Sequence, residues 1–201
     1  ISACHEGTIS GAQNLLKTGK KVLILNFASP NRPGGGYTSG ASAQEEDLCR
    51  CSVLYYLIKN RDEFYSLYKK DKDLNYLNSS SFIYSGNVPF FRNEDYSLTE
   101  PYRLSVITCA APNISNQKDP DLDLVKLDFE VKIDNILAFA YKRNYTNLVL
   151  GAWGCGVFGN DPNMVAKAFD KILNGSNGFY NMFENVRFSI LDKTKDLKTL
   201  K

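Results

Sequence analysis

The sequence predicts an α/β fold with helices on both faces of a mostly parallel or mixed sheet, on three observations. Apolar runs of strand length stand at 22–27, 104–111 and 148–150, and continuous rather than alternating apolar text marks strands covered on both faces. Helical periodicity separates these runs: Ile9, Ala12, Leu15 and Leu16 precede the first, and Phe129, Ile133, Ile136 and Ala140 lie between the second and third. Amphipathic helices alternating with buried strands bury both faces of one sheet. No internal repeat interrupts the 201 residues, so one domain spanning 1–201 is expected.

The elements follow in order. Thr8 to Thr18 is a helix, with Gly19 placed as its C-terminal cap. Lys20 and Lys21 lead into the strand Val22 to Phe27. Ser29 to Gly40 holds two Pro and four Gly, which favour a loop in special backbone geometry. After Gln44-Glu45-Glu46-Asp47 a helical pattern runs through Leu48, Cys51, Ser52, Tyr55 and Ile58, so the acidic residues lie in a first turn, against the positive end of the helix dipole. Residues 60–102 are polar, aromatic and irregular, with a short helix over 61–72 and a strand over 82–88; lids are often built from such stretches. Leu104 to Ala111 is a strand closed by Pro112. The helix around Phe129 to Ala140 and the short strand Leu148 to Leu150 come next. Asp161-Pro162 opens a helix carrying Val165, Ala168, Phe169, Ile172 and Leu173, with Asp as N-cap and Pro at the first position. A strand from Val186 to Leu191 precedes a Lys-rich tail.

Composition narrows the chemistry. One His and five Cys, at 4, 49, 51, 109 and 155 without CxxC spacing, do not furnish a zinc motif, so neither a metal nor a cofactor is expected. An odd, dispersed Cys count reads as a reduced, intracellular protein. No apolar run approaches the roughly 20 residues that cross a bilayer, and the start Ile1-Ser2-Ala3-Cys4-His5 is not a signal peptide. A net charge of +2 gives no argument for direct DNA binding, and a monomer is expected. Catalysis is left to carboxylates, hydroxyls, a lone thiol or backbone amides.

Two glycine-rich segments, 34–40 and 151–159, each follow a buried strand and precede a helix. In open α/β sheets ligands sit at the carboxyl ends of strands, where loops without side chains let backbone N–H groups approach a phosphate. Either segment alone reads equally well as a tight turn. Both together, with Trp153 and Phe158 among the glycines, favour a ligand, and two such loops can grip a diphosphate. Neither matches GxxxxGK[ST], which disfavours a nucleotide triphosphatase. Glu45 and Glu46 point about a quarter-turn apart on a first helical turn. One can reach a reacting oxygen while its neighbour fixes a sugar hydroxyl. Serving the helix dipole is the plainer account of such residues, but these lie eight residues beyond the triple glycine.

Asn26-Phe-Ala-Ser-Pro-Asn-Arg-Pro-Gly-Gly-Gly-Tyr37 with Ala43-Gln-Glu-Glu-Asp-Leu-Cys-Arg50 resembles the signature of the bacterial-type poly(ADP-ribose) glycohydrolases, a branch of the macrodomain superfamily. The likeness continues in Val106-Ile-Thr-Cys-Ala-Ala-Pro-Asn113 and Leu150-Gly-Ala-Trp-Gly-Cys-Gly-Val-Phe-Gly-Asn-Asp-Pro162. It implies a macrodomain-like three-layer α/β/α sandwich with a mixed central sheet, and hydrolysis of the ribose–ribose O-glycosidic bonds of poly(ADP-ribose) to release ADP-ribose. It assigns Glu46 as the catalytic acid and Glu45 as the holder of the distal ribose hydroxyls, with Gln44 setting the loop. Gly35, Gly36 and Tyr37 are implied on the ribose and phosphate side, and Ser29 near the distal ribose. Gly154, Cys155, Gly156, Val157 and Phe158 are implied around the diphosphate, Phe158 also packing on that ribose. One departure is Gly159, where Arg is common in the family.

The partner is then poly(ADP-ribose) or an ADP-ribosylated protein. A hydrolase of mono-ADP-ribosylated targets and a non-catalytic ADP-ribose binding module stay open as alternatives, although an intact Gln-Glu-Glu argues against the module. Cys155 has no basic partner nearby in sequence and reads as a small residue in a packed loop rather than a nucleophile; His5 reads as an N-terminal surface residue. The Lys-rich patches at 69–72 and 193–201 read as solvated surface rather than a track for polyanion.

Overall fold

The computed structural model describes residues 1–67, 76–176 and 178–191. In chain order the elements are β1 (Ser2–Cys4), α1 (Thr8–Leu16), β2 (Val22–Phe27), α2 (Gln44–Cys51), α3 (Leu54–Ile58), α4 (Asp62–Tyr65), β3 (Ile83–Arg92), β4 (Leu98–Cys109), α5 (Leu122–Lys142), β5 (Asn147–Leu150), α6 (Pro162–Asn174) and β6 (Asn185–Ser189). The six strands form one sheet in the order β1-β6-β5-β2-β4-β3. Every neighbouring pair is parallel except β3 with β4, so the sheet is mixed.

Side chains alternate across this sheet and feed two cores. Leu23 and Leu25 of β2 join Ile107, Cys109, Leu148 and Leu150 against Phe129, Ile133 and Leu137 of α5 and Val165 and Phe169 of α6. Val22 and Ile24 face the other way with Leu104, Val106 and Val149, against Ile9 and Ala12 of α1, Leu48 of α2, and Leu54 and Ile58 of α3. Strands apolar on both sides thus sit between two helix layers, as their unbroken apolar text requires. Among the described residues, no helix is long and apolar enough to cross a membrane.

Four details differ from the sequence reading. The helical pattern through Ile58 is broken at Ser52, which is extended at φ −147°. Its Oγ donates to the Leu48 carbonyl at 2.6 Å and accepts from the Leu54 N–H at 3.1 Å, competing with the helix ladder. A single 3-10 turn, Tyr37–Ser39, forms inside the glycine-rich loop. β1 pairs only with β6 and has no apolar face, since its residues are exposed or half-buried, so no periodicity announces it.

The fourth difference lies in the irregular stretch 60–102, where the short strand becomes half of a long hairpin. β3 runs on to Arg92 and β4 begins at Leu98, with register shifts between Ser85 and Val88 and between Phe90 and Arg92. Such bulges bend a ladder and break its period of two. The hairpin tip crosses the α1–α2 layer: Gln13 Nε2 donates to Asn93 Oδ1 at 2.8 Å, and the Tyr96 hydroxyl donates to Asp47 Oδ1 at 2.6 Å. Of the short helix expected over 61–72, Asp62–Tyr65 is helical. Residues 68–72, with their Lys patch, and the patch at 193–201 lie outside the described residues.

Candidate active site

The parallel strands bring the ends of β2, β5 and β6 and the start of α1 to one edge of the sheet, around a cleft of about 740 Å³. Gln44 sets the first wall. It opens α2, and its Oε1 accepts from the Phe27 N–H at 2.8 Å while Nε2 donates to the Leu25 carbonyl at 2.8 Å and to Thr8 Oγ1 at 3.1 Å. One side chain thereby satisfies the last backbone groups of β2 and clips the start of α2 to that of α1.

The next two residues are buried at the cleft floor, Glu45 at 3% exposure and Glu46 at 7%. Glu45 Oε2 accepts from the Ser29 N–H at 2.7 Å and Oε1 from Asn26 Nδ2 at 3.2 Å. Burial pushes the Glu45 carboxyl from 4.5 up to about 8, with the neighbouring Glu46 charge adding to the rise and the Ser29 and Asn26 hydrogen bonds opposing it. Glu46 Oε1 accepts from the Gly36 N–H at 2.7 Å. Between the two stands Gly35, left-handed at φ +57°, where a Cβ would come within 2.5 Å of Glu46 Oε1 and 3.2 Å of Glu45 Oε2. Only glycine fits both the dihedral and the space.

The facing wall is the segment after β5. Trp153 is fully buried, its Nε1 donating to the Cys109 carbonyl at 3.2 Å. Asn160 Nδ2 donates to the carbonyls of Gly154 and Pro112 at 2.9 and 2.8 Å. Gly154 is left-handed at φ +76°, and a Cβ there would lie 2.7 Å from Ala111 Cβ. Beyond these anchors the loop reaches into the open: nothing stands within 4 Å of a Cβ built at Gly156, and Val157 is 79% exposed.

The chain is similar over this whole architecture to a solved poly(ADP-ribose) glycohydrolase from Thermomonospora curvata, bound to the inhibitor ADP-HPD, at 38% identity and TM-score 0.93, covering 98% of this chain and 75% of that one. It belongs to the microbial-type poly(ADP-ribose) glycohydrolase family. The family's catalytic-domain model matches residues 1–93. The Deinococcus radiodurans poly(ADP-ribose) glycohydrolase, solved with ADP-ribose, is similar at 36% identity and TM-score 0.89, covering 99% of this chain and 80% of that one. A sequence comparison with curated proteins found no match.

Of the residues singled out from sequence in this family member, Ser29, Gly35, Gln44, Glu45, Glu46 and the whole run Gly154, Cys155, Gly156, Val157 and Phe158 line the cleft. Gly36 and Tyr37 are not among its lining residues. The positive φ of Gly34 and Gly35 turns the chain so that Gly36 reaches the site through its amide alone, and the Tyr37 ring packs on Tyr55, 4.9 Å between centroids. Burial pushes the Cys155 thiol up to about 12, and its Sγ contacts the Trp153 carbonyl, so it has none of the character of a nucleophile. His5 is exposed.

Sequence reasoning passed over Asn26 and Glu94. Asn26 is the one polar residue in the apolar text of β2 and is wholly buried, bonded to Glu45 and to Thr108 Oγ1 at 3.1 Å; a polar letter in such a run is itself a signal. Glu94 lines the cleft from the hairpin tip, and nothing local in its sequence marks it.

Proposed function

We propose that the chain is a poly(ADP-ribose) glycohydrolase that cleaves ribose–ribose O-glycosidic bonds and releases ADP-ribose. The observation that carries this reading is the adjacent buried pair Glu45 and Glu46, fixed by backbone amides, facing a glycine-rich loop across one cleft. The loop Gly154–Phe158 takes the diphosphate on backbone N–H groups, so the modest net charge of +2 suffices for an anionic ligand. Glu45 accepts from the hydroxyls of the distal ribose, and Ser29 and Phe158 flank that sugar.

Glycosidic cleavage passes through an oxocarbenium-like transition state that needs an acid for the departing oxygen and then a base for water. Glu46 gives its proton to the departing ribose hydroxyl, and its carboxylate then takes a proton from the water that attacks the anomeric carbon. Neighbours on one helical turn do not offer the opposed carboxylates of ordinary glycosidases, so water is positioned by Glu46 and the bound diphosphate. Burial keeps a proton on Glu45 near neutral pH, so its carboxyl is neutral until substrate hydroxyls engage it. Five free thiols support a reducing, intracellular setting, and in this reading the chain acts as a single-domain monomer.

Labelled polymer and a singly modified protein target, incubated separately with the protein, test this reading. Wild type releases ADP-ribose from the polymer. Glu46→Asn lowers that turnover by about a hundredfold or more, the scale of a lost acid, while ADP-ribose binding stays within a few-fold. Near-normal turnover in the variant overturns the assignment. Release from the singly modified target alone indicates a mono-ADP-ribosyl hydrolase; tight ADP-ribose binding with no turnover on either indicates a binding module.

A further inference from the structure

The triple glycine that holds Glu46 also touches an aromatic surface. On one side the Gly36 N–H donates to Glu46 Oε1 at 2.7 Å. On another, a Cβ on Gly34 would lie 2.9 Å from the Tyr55 ring. From there a run of rings leads away from the site. Tyr37 packs on Tyr55 with centroids 4.9 Å apart, Tyr55 meets Tyr56 edge-on at 5.7 Å, and the Lys59 ammonium stands 4.9 Å from the centre of the Tyr56 ring. Tyr56 is 65% exposed and its neighbour Leu57 41%. A lone exposed ring is ordinary, but this one ends a continuous aromatic path that starts against the backbone holding Glu46. The flanking segments also carry charge of one sign. Residues 29–43 and 51–61 hold Arg32, Lys59 and Arg61 and no carboxylate. Neither Arg32 nor Lys59 enters an ion pair among the described residues.

We propose that Tyr56, backed by Tyr55 and Lys59, is a stacking site for the adenine on the leaving side of the scissile bond. The inference rests on the chain cleaving poly(ADP-ribose), as proposed above. When the cleft holds one ADP-ribose unit, the oxygen that Glu46 protonates belongs to the adenosine ribose of the next. A second adenine and a second diphosphate therefore depart past Glu46 and the glycines beside it, toward the surface that these rings cover. Tyrosine offers the departing base a flat apolar face. Lys59 and Arg32 offer the departing diphosphate a positive charge, where the cleft offers backbone amides. Rings interleaved with cations hold a base-bearing polyanion without reading any sequence. Exposure of Tyr56 and the one-signed charge beside it are then features of the substrate's second unit, outside the cleft that takes the first.

Calorimetric titration of the full chain carrying Glu46→Asn, in which turnover is lost, compares ADP-ribose with a dimer of two linked ADP-ribose units. The dimer binds about tenfold more tightly than the monomer, within the range of one base–aromatic stack. Adding Tyr56→Ala removes that gain and leaves the affinity for ADP-ribose unchanged. Adding Lys59→Gln reduces the gain and flattens its dependence on salt. With Glu46 intact, Tyr56→Ala raises the KM for polymer by about fivefold at unchanged kcat, the mark of lost uniform binding. Equal affinity for dimer and monomer overturns the proposal and depends on no surface variant. So does a gain that survives Tyr56→Ala, an equal loss for both ligands in that variant, or an unchanged KM. Absence of any release from polymer by wild type overturns the functional reading, and the stacking site with it.

Discussion

Gly35 occupies the narrowest point of the site. A methyl group there would meet Glu46 Oε1 at 2.5 Å in a backbone conformation that disfavours any side chain. Gly35→Ala is expected to displace the Glu46 carboxylate from the Gly36 amide, lowering turnover by one to two orders of magnitude while far-ultraviolet circular dichroism stays native; unchanged kcat would show the loop yields at no cost. Glu45 leaves a signature in stability. Its folded pKa of about 8 lies above the ordinary 4.5, so from pH 4.5 to 8 the folded protein holds a proton that the unfolded chain releases. Its contribution is complete below 4.5 and is lost as pH rises through 8, on the order of a few kcal/mol. Thermal melting should fall over this window, and Glu45→Gln should flatten the slope; an equal slope in both would place the proton elsewhere.

At the scale of elements, α2 and the loop after β5 are built to opposite designs. The start of α2 is pinned by side chain to backbone, through Gln44 on Phe27 and Leu25. The loop is pinned by Trp153 and Asn160 at its base and by the Ile114 N–H donating to the Phe158 carbonyl at 3.0 Å, leaving Gly156 and Val157 in solvent. Gly154→Ala forces a Cβ into Ala111 and Asn160 at φ +76°; an increase in the Kd for ADP-ribose of tenfold or more is expected, together with a lower Tm, and a change in Tm alone would separate the loop from ligand binding. The sequence announced both elements because each is local. Gln44-Glu45-Glu46 and Gly151 to Gly159 are contiguous, each tied to a buried apolar run. Tyr37 shows the limit of such reading: its place depends on two successive positive φ angles and on Tyr55, neither of which is written beside it. The β3–β4 hairpin was illegible for a related reason, since two bulges erase its alternation and its partners, Gln13, Ser10 and Asp47, lie far away in the chain.

For the whole molecule, the layers were legible and one edge was not. Strands apolar on both sides can only lie between two helix layers, which is what β2, β4 and β5 do. β1, three residues with no buried face, takes its place solely from pairing with β6, Ser2 opposite Arg187 and Cys4 opposite Ser189. That pairing has a consequence for the order of assembly. Contacts between chain segments so remote form slowly, because the loop they close is long. On a ribosome β2, α2 and the glutamate pair emerge early, but β1 must wait for β6. The part of the cleft between the start of α1 and the end of β6 is therefore the last to be completed. A nascent chain halted before residue 185 would carry both glutamates and the glycine loop and yet lack the wall that Ser189, Ile190 and Leu191 lend the cleft.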